Sequence, residues 1–200
     1  MPKKIYRNVK LGKKVEIGDF CVVGLPPKGA KDGELATVIG DGAQIRSHTI
    51  IYAGNKIGRG FQTGHQVMIR ENNNIGNDVS IGTGTCLEHH VTIGDRVRIH
   101  SGAFVPEFSI LEDDSWLGPQ VVLTNAKYPR SNKAKDNLRG PHIKEKAKIG
   151  ANATILPGKV IGENSLVGAG AVVVKDVPAG AIVAGNPAKI IASIKEKNEY

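Results

Sequence analysis

IGNDVS IGTGTC LEHHVT IGDRVR, residues 75–98, falls into blocks of six, each opening on an aliphatic residue. Extended both ways, the register runs Ile39, Ile45, Ile51, Ile57, Thr63, Ile69, Ile75, Ile81, Leu87, Ile93, Ile99, Val105, Leu111, Leu117 and Leu123, and only Thr63 breaks it. A second run, Ile143, Ile149, Ile155, Ile161, Val167 and Val173, keeps the period in a shifted phase; Leu11, Ile17 and Val23 open the chain. The residue after the anchor is often glycine, as at Gly40, Gly58, Gly64, Gly76, Gly82, Gly94 and Gly118. Four places after it comes a small or branched residue, as at Val79, Thr85, Val91, Val97, Ala103, Ser109, Ser115 and Val121.

A period of six matches neither the ~3.6 of an α-helix nor the ~3.5 of a coiled coil, and it suits short β segments joined by corners. Each segment turns its anchor inward, and glycine gives the chain freedom near the corner. Three hexads make one triangular coil of a parallel β-helix, so the class is all-β. The period does not set the hand. The [LIV]-G-x-x-[STAV]-x pattern resembles the hexapeptide-repeat acyltransferases over nearly the whole chain, and that resemblance implies a left-handed coil.

Composition narrows the rest. In 200 residues the aromatic share is 4%, which suits a narrow core of Ile, Val and Ala in one continuous domain. No apolar run of eighteen residues suggests a membrane span, and MPKKIYRNVK has no apolar leader, so a cytoplasmic protein is expected. Cys21 and Cys86 are too few for a disulfide framework; Cys86, beside a histidine pair, is a weak nucleophile candidate and a better corner filler. The net charge of +8 suits anionic ligands, but the cations are dispersed and aromatics are scarce, so nucleic acid is not expected.

Two segments interrupt the repeat. GLPPKGAKDGEL, residues 24–35, reads as a loop rich in Pro and Gly. Between Leu123 and Ile143 a second loop, 126–142, carries Lys127, Arg130, Lys133, Lys135 and Arg139 against the single acid Asp136. A long excursion from a compact repeat is a place for function, toward a ligand or a neighbouring subunit. At the end, the spacing from Ala188 to Lys197 predicts a short helix, which makes 188–200 a helical tail capping the β-helix domain of residues 1–187.

Residues eighteen apart stack at about 4.8 Å in such a coil. Two places after the anchor, one column then reads Glu71, His89, Glu107, Asn125. A histidine between carboxylates can have its tautomer fixed and its basicity raised, which a general base needs. Glu88 and His90 flank it, and the column ends where the basic loop departs. His65 and His100 are lesser candidates.

LEHHVT, residues 87–92, resembles the I-A-H-D-C-T-like hexad of UDP-N-acetylglucosamine acyltransferases and the I-D-H-D-like hexad of nucleotide-amino-sugar and sialic acid acetyltransferases. The resemblance implies that His89 is the catalytic base, with His90 in place of the acid found next to it there. Glu88, Glu71 or Glu107 is then left to orient it. LEDDSWLGPQVVLTNAKYPR, residues 111–130, with IGANATILPG, residues 149–158, is similar to nucleotide-linked 3-amino-sugar N-acetyltransferases, in which the sugar amine loses its proton without a protein base. Maltose and galactoside acetyltransferases place their histidine before the loop proline, where this chain has Tyr128.

The tail VGAGAVVVKDVPAGAIVAGNPAKII, residues 167–191, resembles the signature of acetyl-CoA-dependent hexapeptide transferases. That resemblance implies acetyl-CoA as co-substrate. Gly168, Ala169, Gly170 and Ala171 lie against the pantetheine arm, Lys175 and Lys189 meet its phosphates, and the sites sit between the subunits of a homotrimer. The expected function is acetylation of the amine of a nucleotide-linked amino sugar, a small-molecule substrate, with no metal. The alternatives are sugar O-acetylation and a non-catalytic scaffold subunit. A third, a zinc protein like the gamma-class carbonic anhydrases, is weakened because Arg70 stands where a ligand histidine would be.

Overall fold

The computed structural model describes residues 2–196. Two-residue strands succeed one another along the chain and form three parallel sheets, the faces of a triangular coil. Sheet A has nine strands, from Lys4–Ile5 to Val172–Val173; sheet B has eight, from Val9–Leu11 to Val160–Ile161; sheet C has ten, from Glu16–Ile17 to Lys189–Ser193. The coil is the left-handed β-helix expected for the repeat. Met68 pairs with Cys86 and Ile69 with Leu87, the eighteen-residue step of three hexads. Across the second excursion Leu111 pairs instead with Ile143, so the loop adds length to one corner without disturbing the stack.

Each hexad buries two residues. The anchors fill the core, and so do the small residues four places on, among them Val79, Thr85, Val91, Val97, Ala103, Ser109, Ser115 and Val121. Thr63 fits among the aliphatics because its hydroxyl accepts the Arg46 N–H at 3.0 Å and lies 3.3 Å from the Thr49 hydroxyl. A buried hydroxyl so paired avoids the cost of an unsatisfied polar group.

Glycine's role differs from the expectation. From Gly40 onward the glycines directly after the anchors do not take the left-handed conformation; a Cβ on Gly40 or Gly58 would lie 2.6 Å from the backbone of the next coil. The left-handed residue comes two places later, three after the anchor, as at Asn72 (φ 59°), Asp78 (φ 56°), Gly84 (φ 69°), His90 (φ 56°) and Arg96 (φ 58°). One glycine column serves close approach, while the corner itself is turned elsewhere.

The C-terminal segment corrects the helix expected over Ala188–Lys197. Lys189–Ser193 is a strand, antiparallel to Ala181–Ala184, and Ile194–Glu196 is a single 3-10 turn; Lys197 lies outside the described residues. The open edge of sheet C offers unpaired backbone groups, and pairing with them outweighs the helical spacing of a short segment. The tail is therefore continuous with the β-helix up to residue 196 instead of a separate helical unit.

Candidate functional site

The three corner columns differ in the residue directly after the anchor. After sheet B the column includes Gly40, Gly58, Gly76 and Gly94; after sheet C it includes Gly64, Gly82, Gly118, Gly150 and Gly168. After sheet A, from Tyr52 onward, it runs Tyr52, Arg70, Glu88, Pro106, Thr124, with no glycine among these. The A/B corner therefore carries side chains where the other two carry glycine.

Two fully buried asparagines hold that corner. Asn55 Nδ2 donates to the carbonyls of Tyr52 (2.7 Å) and Arg70 (2.8 Å), and its Oδ1 accepts the Asn73 N–H at 3.0 Å. Asn73 repeats the pattern one coil on, donating to the Arg70 carbonyl at 2.8 Å and accepting the Val91 N–H at 2.7 Å. Backbone groups that the bend takes from the strand ladders are thereby satisfied.

On this base the predicted column Glu71, His89, Glu107, Asn125 assembles in order. Asn125 Nδ2 donates to Glu107 Oε2 at 2.6 Å, and Glu107 Oε1 faces His89 Nε2 across 3.7 Å. That separation is too long for a direct hydrogen bond, and a polar atom beside the pair can reach both groups. Glu71 and Glu88 are taken up otherwise. Arg70 forks onto Glu71 at 2.9 and 3.0 Å and reaches Glu88 at 3.4 Å, with its guanidinium 5.0 Å over the Tyr52 ring. Burial works to raise the Glu71 carboxyl, but the Arg70 bonds and charge outweigh it and hold the group below its ordinary value.

The partner of His89 is its neighbour. His89 Nδ1 and His90 Nδ1 are 2.8 Å apart, so one nitrogen carries the proton and the other accepts it. Phe108, one coil on from His90, sets its ring edge-on to His89 at 5.9 Å and tilted to His90 at 5.8 Å. His90 and Phe108 are both left-handed, which turns their side chains alongside His89. A search for an acid passes over both residues; their shared place three after the anchor is the signal that finds them.

Cys86 lies half-buried on the outer face of sheet A, its Sγ 3.8 Å from Glu88 Oε1. Burial, and then the Glu88 charge, push its thiol up to about 11. A thiol so raised is not a nucleophile at neutral pH.

His65 and His100 stand apart, at the corner between sheets C and A. Ser47 Oγ is 2.8 Å from His65 Nδ1, while Arg98 Nε–H donates to His100 Nε2 at 3.0 Å and Trp116 packs edge-on at 4.8 Å. Burial first, and the Arg98 charge second, keep His100 below its ordinary value.

The glycine end of the tail motif occupies that same C/A corner. Gly168, Ala169 and Gly170 are on its surface, and a Cβ on Gly170 would meet nothing within 4 Å. Ala171 corrects the expectation: its methyl is wholly buried, so it fills the core and cannot touch a ligand. Lys175 and Lys189 are exposed. Asp176 has a structural task, accepting the Val160 N–H at 3.0 Å where sheet B ends, and the Gly185–Ala188 turn leads into the last strand. No cluster of His, Cys, Asp and Glu among the described residues is placed to hold a metal.

Comparison with known proteins agrees with the repeat and the fold. The bacterial transferase hexapeptide model, six repeats, matches residues 74–107 and 140–175. A 2,3,4,5-tetrahydropyridine-2,6-dicarboxylate N-acetyltransferase of Clostridium perfringens is 60% identical over 57 residues, 28% of this chain and 24% of that protein. The chain thus spans about a quarter of that relative's length. Among solved structures, a UDP-N-acetylglucosamine acyltransferase, LpxA from Bacteroides fragilis, superposes with a TM-score of 0.62 at 18% identity, covering 98% of this chain and 78% of its own. The polySia-specific acetyltransferase NeuO superposes with a TM-score of 0.57 at 21% identity, covering 96% and 86%. At these identities the structures speak for the fold.

The fold and repeat define a left-handed β-helix protein. Bacterial transferase hexapeptide repeats account for residues 74–107 and 140–175 of it.

Proposed function

We propose that this protein is an acetyl-CoA-dependent acetyltransferase that acts on the amine of a nucleotide-linked amino sugar, with His89 as general base. The observation that carries the reading is the His89–His90 contact at the A/B corner. With the shared proton on His89 Nδ1 and His90 accepting it, His89 Nε2 keeps its lone pair and faces the 3.7 Å gap to Glu107. An acceptor amine beside the pair, within hydrogen-bond reach of Nε2, gives a proton to Nε2 as its nitrogen attacks the acetyl carbonyl, and Glu107, held by Asn125, offsets the charge that develops on the imidazole. The matched relative is an N-acetyltransferase, which supports an amine acceptor.

Acetyl-CoA is assigned to Gly168, Ala169 and Gly170, with Lys175 and Lys189 toward its phosphates. Gly168, Ala169 and Gly170 lie at the opposite edge of sheet A from His89 and about four strands, or ~19 Å, from it along the coil, whereas Lys175 follows the last strand of sheet A at the His89 edge. One chain does not present both to one bound thioester, which supports a homotrimer with its sites between subunits. Two free cysteines suit a reducing cytoplasm.

The test is His89→Ala. Loss of general-base catalysis lowers kcat by about 100-fold or more with CoA affinity unchanged. Turnover within a few-fold of wild type would instead mean that the amine loses its proton without help from the protein. Amino-sugar nucleotides screened with acetyl-CoA, following thiol release, identify the acceptor; turnover only on hydroxyl analogues would overturn the choice of amine.

A further inference from the structure

The excursion between sheet A and sheet B encloses a cavity of about 310 Å³ lined by Lys127, Tyr128, Ser131, Asn137, Arg139 and Pro157, together with Ala134. Its two cations have no carboxylate partner. Among the described residues no ion pair involves Lys127, Arg130, Lys133, Lys135 or Arg139. Some cations elsewhere pair closely, as at Arg96 with Asp114 (2.7 Å) and Lys144 with Glu112 (2.8 Å). Uncompensated positive charge around a hollow is an anion site in waiting, and Lys with Arg is the pairing that phosphate oxygens favour.

The cavity also has an aromatic face. Tyr128 is 67% exposed on its wall, with Lys127 Nζ 5.2 Å from the ring centroid. A cation and an exposed ring side by side suit a phosphate joined to a planar base.

Its place ties it to the candidate base. The Arg139 N–H donates to the Asn125 carbonyl at 2.9 Å, the Asn125 amide donates to Glu107 at 2.6 Å, and Glu107 faces His89. The Arg139 carbonyl accepts the Gly158 N–H at 2.8 Å, which anchors the loop's return on the next coil.

We propose that this loop cavity is the recognition site for the phosphates of a nucleotide, Lys127 and Arg139 taking the phosphate oxygens and Tyr128 the base. The assignment rests on the acetyltransferase reading for its biological ligand, though the site is defined by its own residues. Nucleotide phosphates have two sources in that reaction, the nucleoside diphosphate of the acceptor and the adenosine end of CoA.

Calorimetric titration of the whole protein with inorganic pyrophosphate, uridine diphosphate and CoA separates them. Lys127→Ala and Arg139→Ala each weaken pyrophosphate and uridine diphosphate about tenfold or more, while Lys135→Ala, in the same loop but off this cavity's wall, changes them less than twofold. Tyr128→Ala weakens uridine diphosphate and leaves pyrophosphate unchanged. If CoA is unmoved, the phosphates belong to the acceptor; if CoA weakens alongside, they belong to the donor, and either result supports the site. The proposal is overturned if the wild type binds none of the three anions, if neither variant changes any affinity, or if Lys135→Ala weakens binding as much as Lys127→Ala. Pyrophosphate binding that depends on Lys127 and Arg139, with no CoA binding to the wild type, would leave the site standing and remove acetyl transfer.

Discussion

His90 stands at the position where the corner turns left-handed, so its backbone conformation and its contact with His89 come from the same hexad. His90→Asn tests the orienting role, because asparagine tolerates that conformation and still offers an acceptor oxygen. We expect His90→Ala to lower kcat about tenfold with KM little changed and His90→Asn to restore most of it; equal loss in both would show that the imidazole does more than orient. Glu71 acts through charge on Arg70. Its folded carboxyl is held below the ordinary 4.5, so its contribution to stability is full above pH 4.5 and is lost as pH falls through the lower folded value. The difference in melting temperature between wild type and Glu71→Gln should shrink over that acid range and stay constant from pH 6 to 8; a difference unchanged to pH 3 would contradict the assignment. The sequence column already placed His89, Glu107 and Asn125 together, since stacking is a consequence of the period alone. It did not distribute the acids, because Arg70 lies one place out of the column and only its reach shows that Glu71 and Glu88 are taken.

Two kinds of glycine in one hexad have opposite consequences. A Cβ on Gly58 would lie 2.6 Å from the Gly76 carbonyl oxygen and 2.7 Å from Asn77 Oδ1, so Gly58→Ala must push neighbouring coils apart, at a cost of about 1–3 kcal/mol. Gly84 is left-handed at 69°, with nothing within 4 Å of a Cβ, and Asn8, Asn72, Asn152 and Asn164 also take positive φ. Gly84→Asn is expected to hold stability level or raise it by about 0.5 kcal/mol, since the unfolded chain loses freedom. Urea denaturation of both variants checks the pair; Gly58→Ala at wild-type stability would refute the close-approach account. The period announced the strands and the inward anchors, but it could not say which glycine turned the chain. That depends on the separation of successive coils, which no single hexad records. The tail failed for a related reason: spacing that suits a helix was overruled by an open sheet edge that only the assembled coil creates.

Stability in a solenoid is a sum over neighbouring coils, and the outer faces contribute little until something covers them. The face of sheet A is apolar where register stacks Ile50, Met68, Cys86, Phe104 and Val122, and Met68, Phe104 and Val122 are each more than a third exposed. An apolar stripe of this length on an otherwise charged protein marks an association surface. It lies between the A/B corner that holds His89 and the C/A corner that holds Gly168 and Gly170, so association through it is the arrangement that the shared-site proposal requires. The repeat alone showed one continuous coil; that the two motifs occupy different corners emerges only when hexads are assigned to faces. If the site is shared, His89→Ala and Ala169→Trp are each inactive alone, yet mixing them during refolding yields trimers in which roughly a quarter of the sites carry both intact halves. Phe104→Glu, which sets a charge in the stripe, should shift light-scattering mass from trimer to monomer and abolish that complementation. Wild type that is monomeric with full turnover, or mixtures with no recovered activity despite trimeric mass, would place donor and base within a single chain and remove the reason for assembly.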